Sequence, residues 1–414
     1  MKIRKITEND FYDIKYVSSI AFEYPLDLEP GKKTEEALQN IKDDPSCRNH
    51  MYNLECWAAF TDSGEVMSSS GFFPYPVYYN NHRILMNGVN CVVTLPQYRR
   101  MGAVRECFSA AFKEMYENNH MLSMLYPFND VFYRKLGYEY SSRIKQWDIP
   151  LSALKRFNVG GSVESHIKDG DISGFRDVYD TVAKRYDLAC IREDIDWKQL
   201  RDLNAAASVN YPYIWRNNEG IPKAYMIFKK QSSASSKAVI NCIRNFDNLN
   251  EFQAVDAEGL KGILDFAGTF ASHYSNIKLA LPFDINIEAF INENSHVEIS
   301  QTYNGMARII DVKQVLELSA YISCGSIRIG VTDNMCPWNE GVWQVDFKDG
   351  CADNVTLTSK KADISVNIND FTRLILGAFS ADELWLLPGV KYDCDLEILS
   401  KVFYKKKTWQ CESY

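Results

Sequence analysis

The segment from Val89 to Met115 constrains the fold more than any other part of the chain. It opens on the apolar run Val89-Asn90-Cys91-Val92-Val93-Thr94 and passes through Leu95-Pro96-Gln97-Tyr98-Arg99-Arg100-Met101-Gly102. From Val104 onward apolar residues recur at Cys107, Phe108, Ala111, Phe112 and Met115, with Arg105, Glu106, Lys113 and Glu114 opposite. That spacing is one face of an amphipathic helix, and Asn118-Asn119 ends it. A strand, a loop with two arginines and a glycine, and a helix start in that order build a particular surface. The first turn of a helix has free N–H groups and the positive end of its dipole. Gly102 lets a bulky anion approach the backbone, and Arg99 and Arg100 add charge beside it. The combination is a cradle for a pyrophosphate. Taken alone, the same residues also suit solvated arginines and an ordinary turn.

The flanking sequence reads as alternating strands and helices. Residues 2–6 suit a short strand, and Thr7 caps a following helix with Glu8 and Asp10 in its first turn. Residues 56–61 and 65–73 read as strands joined through Asp62-Ser63-Gly64, 84–94 as a longer strand, 121–125 as a buried strand, and 131–136 as a short helix stopped by Gly137. With 414 residues the chain exceeds one ordinary core, and roughly two to four domains are expected.

Further along, part of this order repeats. A helix at 260–274, an apolar stretch at 277–281 and Pro282-Phe283-Asp284 echo the helix, the strand and Leu125-Tyr126-Pro127-Phe128-Asn129. The echo suggests a duplicated domain whose second copy lacks the Arg-Arg-x-Gly loop. Residues 231–236, rich in serine, read as an exposed loop. The last stretch changes character, with half-buried strands at 326–331, 342–347, 354–358 and 362–367 and short helices at 370–376 and 381–387. That is a sheet with helices on one face.

Composition excludes several classes. The net charge is −8, so no nucleic-acid partner is expected, because phosphate binding needs clustered Lys and Arg. An acidic surface favours cationic small molecules or peptides, or simply solubility. Glu23, Asp27 and Glu412 could supply charge for a cationic acceptor, or be plain surface charges. The 11 cysteines form no CxxC pair and lie mostly in apolar runs, as in a reduced cytoplasmic protein. The six histidines have no ligand spacing, so no metal is expected. No apolar run approaches the ~20 residues that span a bilayer, and the start has no signal core, so no membrane partner is expected. Lys405-Lys406-Lys407 reads as a solvated loop, and Trp57 and Trp147 as core.

The strand–Arg-Arg-x-Gly–helix unit resembles motif A of the GNAT acyltransferases. Its pairing with Leu125-Tyr126-Pro127-Phe128 and Val131-Phe132-Tyr133-Arg134-Lys135-Leu136-Gly137-Tyr138 resembles the Eis (enhanced intracellular survival) family, in its Gram-positive form. The specific motifs cover roughly residues 84–140. The resemblance implies an α/β and α+β architecture of tandem GNAT domains, mixed sheets flanked by helices, plus a C-terminal sterol-carrier-like α+β domain. The domains would span 1–149, 150–290 and 291–414.

By the same resemblance, the enzyme is an acetyl-CoA-dependent N-acetyltransferase. Val92, Val93 and Thr94 would pair with the pantetheine arm, and a backbone N–H there would hold the thioester carbonyl. Arg99, Arg100, Gly102 and Ala103 would hold the pyrophosphate, and Phe128 and Asn129 would line the cofactor's other side. Tyr133 falls on the family's general acid. The family's base is the terminal carboxylate of an aromatic last residue. Here that residue is Tyr414, where Phe is the residue the resemblance leads one to expect. The acceptor would be an aminoglycoside-like polyamine, a lysine side chain or a small amine, and the assembly a homo-oligomer, a hexamer by resemblance. The alternative is a CoA- or lipid-binding sensor with a decayed site.

Overall fold

The structure is a computed structural model; it describes residues 1–42, 55–232, 237–245, 249–293 and 296–412. The chain forms two compact units. One joins residues 1–141 to 305–406, and the other joins 142–304 to the segment that begins at Lys407.

In the first unit the strands are β1 (Lys2–Lys5), β2 (Cys56–Phe60), β3 (Val66–Tyr79), β4 (His82–Thr94), β5 (Leu122–Leu125) and β6 (Glu139–Tyr140). The helices are α1 (Phe11–Phe22), α2 (Lys32–Lys42), α3 (Ala103–Glu117) and α4 (Asp130–Arg134). β3 extends six residues beyond the expected end at Phe73, because its register with β4 runs unbroken from Gly71 opposite Asn90 to Tyr79 opposite His82. Thr7 precedes a 3-10 turn, Glu8–Asp10, rather than α1 itself, and Asp10 accepts from the Thr7 backbone N–H at 2.7 Å and also from Arg4 at 2.7 and 2.8 Å. α1 follows from there.

The expected apolar face of α3 is buried, with Cys107, Phe108, Ala111, Phe112 and Met115 all shut off from water. Phe108 meets Phe72 edge to face at 4.9 Å between centroids. Truncating such a ring to Ala costs about 3–5 kcal/mol. α3 also crosses between parallel neighbours, since β4 and β5 pair in parallel. A strand–helix–strand crossover of this kind is how parallel strands are joined.

The sheet has the order β1-β2-β3-β4-β5, then a strand from far along the chain (Met306–Ile309), then β6. The inserted strand pairs antiparallel with β5 on one side and β6 on the other. Met306 and Ile310 join the core of Phe108, Phe112, Tyr133 and Tyr138. The same unit holds a five-stranded sheet from Gly325–Thr332, Gly341–Lys348, Cys351–Thr358, Ile364–Asn367 and Lys391–Tyr392. Helix Ile368–Ile375 packs on it, and the expected helix at 381–387 is a 3-10 turn, Ala381–Leu386.

The second unit is an eight-stranded sheet. Strand Arg143–Pro150 lies inside it, paired on one side with Tyr274–Pro282 and on the other with Glu298–Tyr303. The echo around residue 280 has a structural counterpart. Helix Ala257–Gly268 leads to Tyr274–Pro282, which pairs in parallel with Ala238–Asn241. The helix is shorter than expected, because a 3-10 turn at Thr269–Ser272 ends it and Tyr274 is already strand. Residues 233–236 of the serine-rich stretch lie outside the described residues.

Candidate active site

β4 is held by β3 along one edge and by β5 along the other, but only in part. The parallel pairing with β5 runs Met86–Leu122, Asn87–Ser123 and Gly88–Met124, and then stops. β4 continues to Thr94 while β5 ends at Leu125. Among the described residues, no strand flanks Val89–Thr94 on that side. Cys91 sits at φ 48°, and the register with β3 shifts between Ser69 and Gly71. A bulge bends and twists its strand, and here it lies where β4 parts from β5. An extended ligand chain can add to such an opened edge through backbone hydrogen bonds. Val92, Val93 and Thr94 all lie on it.

The loop after β4 turns through a 3-10 segment, Pro96–Tyr98, pinned by Tyr98 donating to Glu65 at 2.5 Å. Arg100 and Gly102 follow with φ of 66° and 82°. A Cβ at Gly102 would meet nothing within 4 Å, so the space over the start of α3 is open, and the positive φ favours glycine there. Gly102 brings no side chain to cap Ala103 and the first turn. Arg99 and Arg100 are exposed, and among the described residues neither side chain makes an ion pair or a hydrogen bond. Arg105 instead reaches the Asn334 carbonyl at 3.4 Å. Two unpaired cations beside an uncapped helix start fit a pyrophosphate. The matching helix of the second unit differs. The Asp256 carboxylate caps its start by accepting from Gly259 at 2.9 Å and pairs with Lys223, which puts an anion where a phosphate would sit.

Tyr133 lies in α4. Asn129 caps that helix, its side-chain oxygen accepting from the Phe132 N–H at 2.9 Å. Tyr133 is 3% exposed, ringed by Phe132, Phe128, Tyr138 and Phe108 at 5.1, 5.3, 6.0 and 6.4 Å. Burial pushes its pKa well above the usual phenol value. Among the described residues its hydroxyl has no hydrogen-bond partner. Phe128 is 70% exposed at the rim of this ring cluster.

The end of α4 is fixed by residues that sequence reasoning did not single out. Arg308, on the inserted strand and fully buried, donates from Nε to the Leu136 carbonyl at 2.8 Å. Asn369 donates to the carbonyls of Arg134 and Tyr138. Their only sequence signal is an arginine inside the apolar run Met306-Ala307-Arg308-Ile309-Ile310, a place where an unpaired charge is costly.

Tyr414 lies outside the described residues. The segment leading to it is buried, from Trp409 and Gln410 to Glu412. Glu412 is neither a surface charge nor free for a cationic acceptor, because Arg192 and Arg244 take its two oxygens at 2.5 and 3.0 Å. Glu23 and Asp27 are exposed. Nor is the lysine run at 405–407 merely solvated: Lys405 pairs with Glu383, Lys406 faces the Tyr79 and Tyr404 rings, and Lys407 pairs with Asp284. Trp147 is core; Trp57 is half-buried and donates to Glu114 at 2.8 Å.

Residues 2–141 match the family model of the acetyltransferase (GNAT) domain, and residues 312–411 that of the sterol carrier protein domain. The chain thus carries a GNAT acetyltransferase domain, with the opened β4 edge and uncapped α3 inside the matched span, and by that domain it is an N-acetyltransferase in class. In fold it is similar to solved structures of the same two-domain content. It is similar to Eis1 from Mycobacterium abscessus at 16% identity over 100% of both chains, with a TM-score of 0.77. A GCN5-related N-acetyltransferase from Anabaena variabilis is 18% identical over 99% of this chain and 98% of that one, at 0.80. A conserved Enterococcus faecalis V583 protein is 21% identical over 98% of each, at 0.78. At these identities the likeness is one of fold. No curated protein is similar enough in sequence to count as a relative. No helix among the described residues is long and apolar enough to cross a membrane.

Proposed function

We propose that this protein transfers the acetyl group of acetyl-CoA to the primary amine of a small cationic acceptor, by direct attack within a ternary complex. The observation that carries the reading is the open, unpaired cradle of Arg99, Arg100 and Gly102 at the start of α3, next to the bulged edge of β4. The pyrophosphate sits on the N–H groups from Ala103 onward, with both arginines closing on it. The pantetheine arm adds along Val92–Thr94, and Phe128 and Asn129 flank its other side. The Asn129 oxygen is engaged in capping, so this residue contributes its amide NH2.

The amine attacks the thioester carbon once it has lost its proton. A backbone N–H at the β4 bulge holds the carbonyl oxygen as it becomes an oxyanion. The carbon–sulfur bond then breaks, and CoA leaves as the thiolate. Tyr133 meets that sulfur. Its raised pKa keeps the phenol protonated, so it donates its hydrogen bond to the departing thiolate at any ordinary pH. The terminal carboxylate of Tyr414 takes the proton of the amine. The protein works in the cytoplasm as a homo-oligomer.

One surface feature of the C-terminal domain bears on the alternative of a lipid-binding sensor. Its open groove of about 1060 Å³ is polar, crossed by the Arg328–Asp363 pair and bordered by Gln344, Asp346 and Lys360. A lipid chain needs an apolar lining. Mass spectrometry of polyamines, aminoglycosides and lysine peptides incubated with acetyl-CoA and the protein tests the reading. Acetylated amine supports it. Tight acetyl-CoA binding with no acetylated product from any amine class speaks for the sensor.

A further inference from the structure

The bulge of β4 is approached by more than the cofactor's own cradle. α1 packs across β3 and β4, with Phe11, Ile14 and Val17 buried. Lys15 follows Ile14, four residues after Phe11 and three before the buried Ser18, so helical spacing sets it on the flank of that packed face. It is half-buried. A lysine so placed lays its methylene stem along the protein and carries the ammonium at the far end. Here the ammonium lies near Cys91, the bulged residue at φ 48°, and each of the two groups shifts the other's ionisation. Tyr24, just past the end of α1, feels Cys91 as well. Side chains from α1 and the turn after it thus converge on the point of β4 where the strand leaves β5.

Two of these groups are nucleophiles. Burial disfavours the charged form of each, with opposite consequences. For Cys91 the charged form is the reactive one, and burial pushes the thiol up to about 11, with Lys15 offsetting part of the shift. At neutral pH the thiol stays protonated and poorly reactive. For Lys15 the neutral amine is the reactive form, and burial lowers its pKa against a smaller opposing effect of Cys91. A lysine shifted in this way is the kind that acts as a nucleophile.

We propose that Lys15 is an acetyl acceptor in its own right, and that the enzyme acetylates this residue from acetyl-CoA bound along β4. This rests on the reading that the thioester lies at the β4 bulge. The neutral Nζ attacks the thioester carbon, a carbon–nitrogen bond forms, and the carbon–sulfur bond breaks. The nitrogen gives up one proton and the departing thiolate takes up one, so the products are Nε-acetyl-Lys15 and CoA, with no further reactant. An amide does not pass its acetyl group on, so the product is a modified enzyme rather than an intermediate. The modification removes the positive charge of Lys15, beside the place where a cationic acceptor brings its amine.

The test incubates the full chain with acetyl-CoA and no added amine, and follows the acetylated fraction of each lysine by peptide mass spectrometry. Lys2 and Lys360, both exposed, report uncatalysed acetylation from solution. Lys15 should be modified at least ~10-fold faster than either, because a positioned amine gains from proximity. The rate per molecule should not change when the protein is diluted ~10-fold with acetyl-CoA held constant, as for a reaction within one chain. In the chain carrying Arg99→Gln and Arg100→Gln, at acetyl-CoA below the wild-type KM, the rate at Lys15 should fall at least ~10-fold while those at Lys2 and Lys360 stay the same. If Lys15 is no faster than Lys2 and Lys360 while a free polyamine is acetylated, the proposal is overturned and the transferase reading stands. If neither Lys15 nor any added amine is acetylated, the transferase reading falls and takes the proposal with it. Fast modification of Lys15 that is the same in the double variant overturns the proposal too, since the amine is then merely reactive and not served from the cradle.

Discussion

Arg308 and Asp333 form an ion pair at 2.7 Å with side chains 0% and 1% exposed. Asp333 also accepts from the N–H groups of Met335 and Cys336 and from Asn339. The pair joins the strand inserted in the first sheet to the C-terminal domain, and Arg308 in turn braces the carbonyl of Leu136 behind Tyr133. Removing one partner of such a pair leaves a buried charge alone. Asp333→Ala should cost about 3–5 kcal/mol, seen in chemical denaturation. A loss under ~1 kcal/mol would mean that water or another group replaces the carboxylate.

The pyrophosphate cradle predicts a split in the kinetics. Charge-assisted hydrogen bonds contribute about 1.5–3 kcal/mol each, and on the proposed reading those of Arg99 and Arg100 would hold acetyl-CoA equally in the ground and transition states. Replacing Arg99 and Arg100 together by Gln should raise KM for acetyl-CoA at least ~10-fold with kcat nearly unchanged. The wild-type KM should also rise with salt and the variant's much less, as initial rates at low and high ionic strength will read out.

Tyr133 makes a prediction about alkaline pH. A phenol with the ordinary pKa of 10.0 loses its proton near that pH, but burial holds this one higher. On the proposed reading the group would have to be protonated to act, so its contribution to kcat should persist through pH 10 rather than decline there. Tyr133→Phe should lower kcat about 10²-fold at every pH without adding a new alkaline limb. A wild-type kcat that falls away below pH 10 with a limb absent from the Phe variant would show an unshifted phenol.

Arg192, Arg244, Glu251 and Glu412 form an ion-pair network in the second unit, which predicts behaviour in acid. Burial works to raise the pKa of Glu251, but Arg192 and Arg244 outweigh it and hold the carboxyl below its ordinary 4.5. A depressed folded pKa contributes stability above the unfolded value that is lost as pH falls through the folded one. The melting temperature should therefore hold down to about pH 5 and fall steeply below pH 4.5. In Glu251→Gln the melting temperature should start lower, with a shallower acid slope.

What the sequence revealed and what it hid follow one physical line. The α3 face from Cys107 to Met115, the glycine at positive φ before it and the stop at Asn118 are local, so periodicity and turn chemistry expose them. Arg308 in the first sheet was hidden because Met306–Ile309 pairs with β5 far earlier in the chain, and strand pairing leaves no trace in local spacing. The meeting of Arg192 with Glu412 is separated by 220 residues. A buried charge can be suspected from its apolar neighbours, but its partner cannot. Tyr133 stood out only through resemblance, because a buried tyrosine in a short helix otherwise reads as core.

Thiol release from acetyl-CoA, followed with a panel of polyamines and aminoglycosides, tests the central claim most directly. The comparison is wild type against Tyr133→Phe and a chain lacking Ser413 and Tyr414. Amine-dependent release by wild type that falls at least ~10²-fold in both variants is the predicted result. Equal release by all three would contradict the assignment of acid and base alike, and no release with any amine would contradict the transferase reading itself.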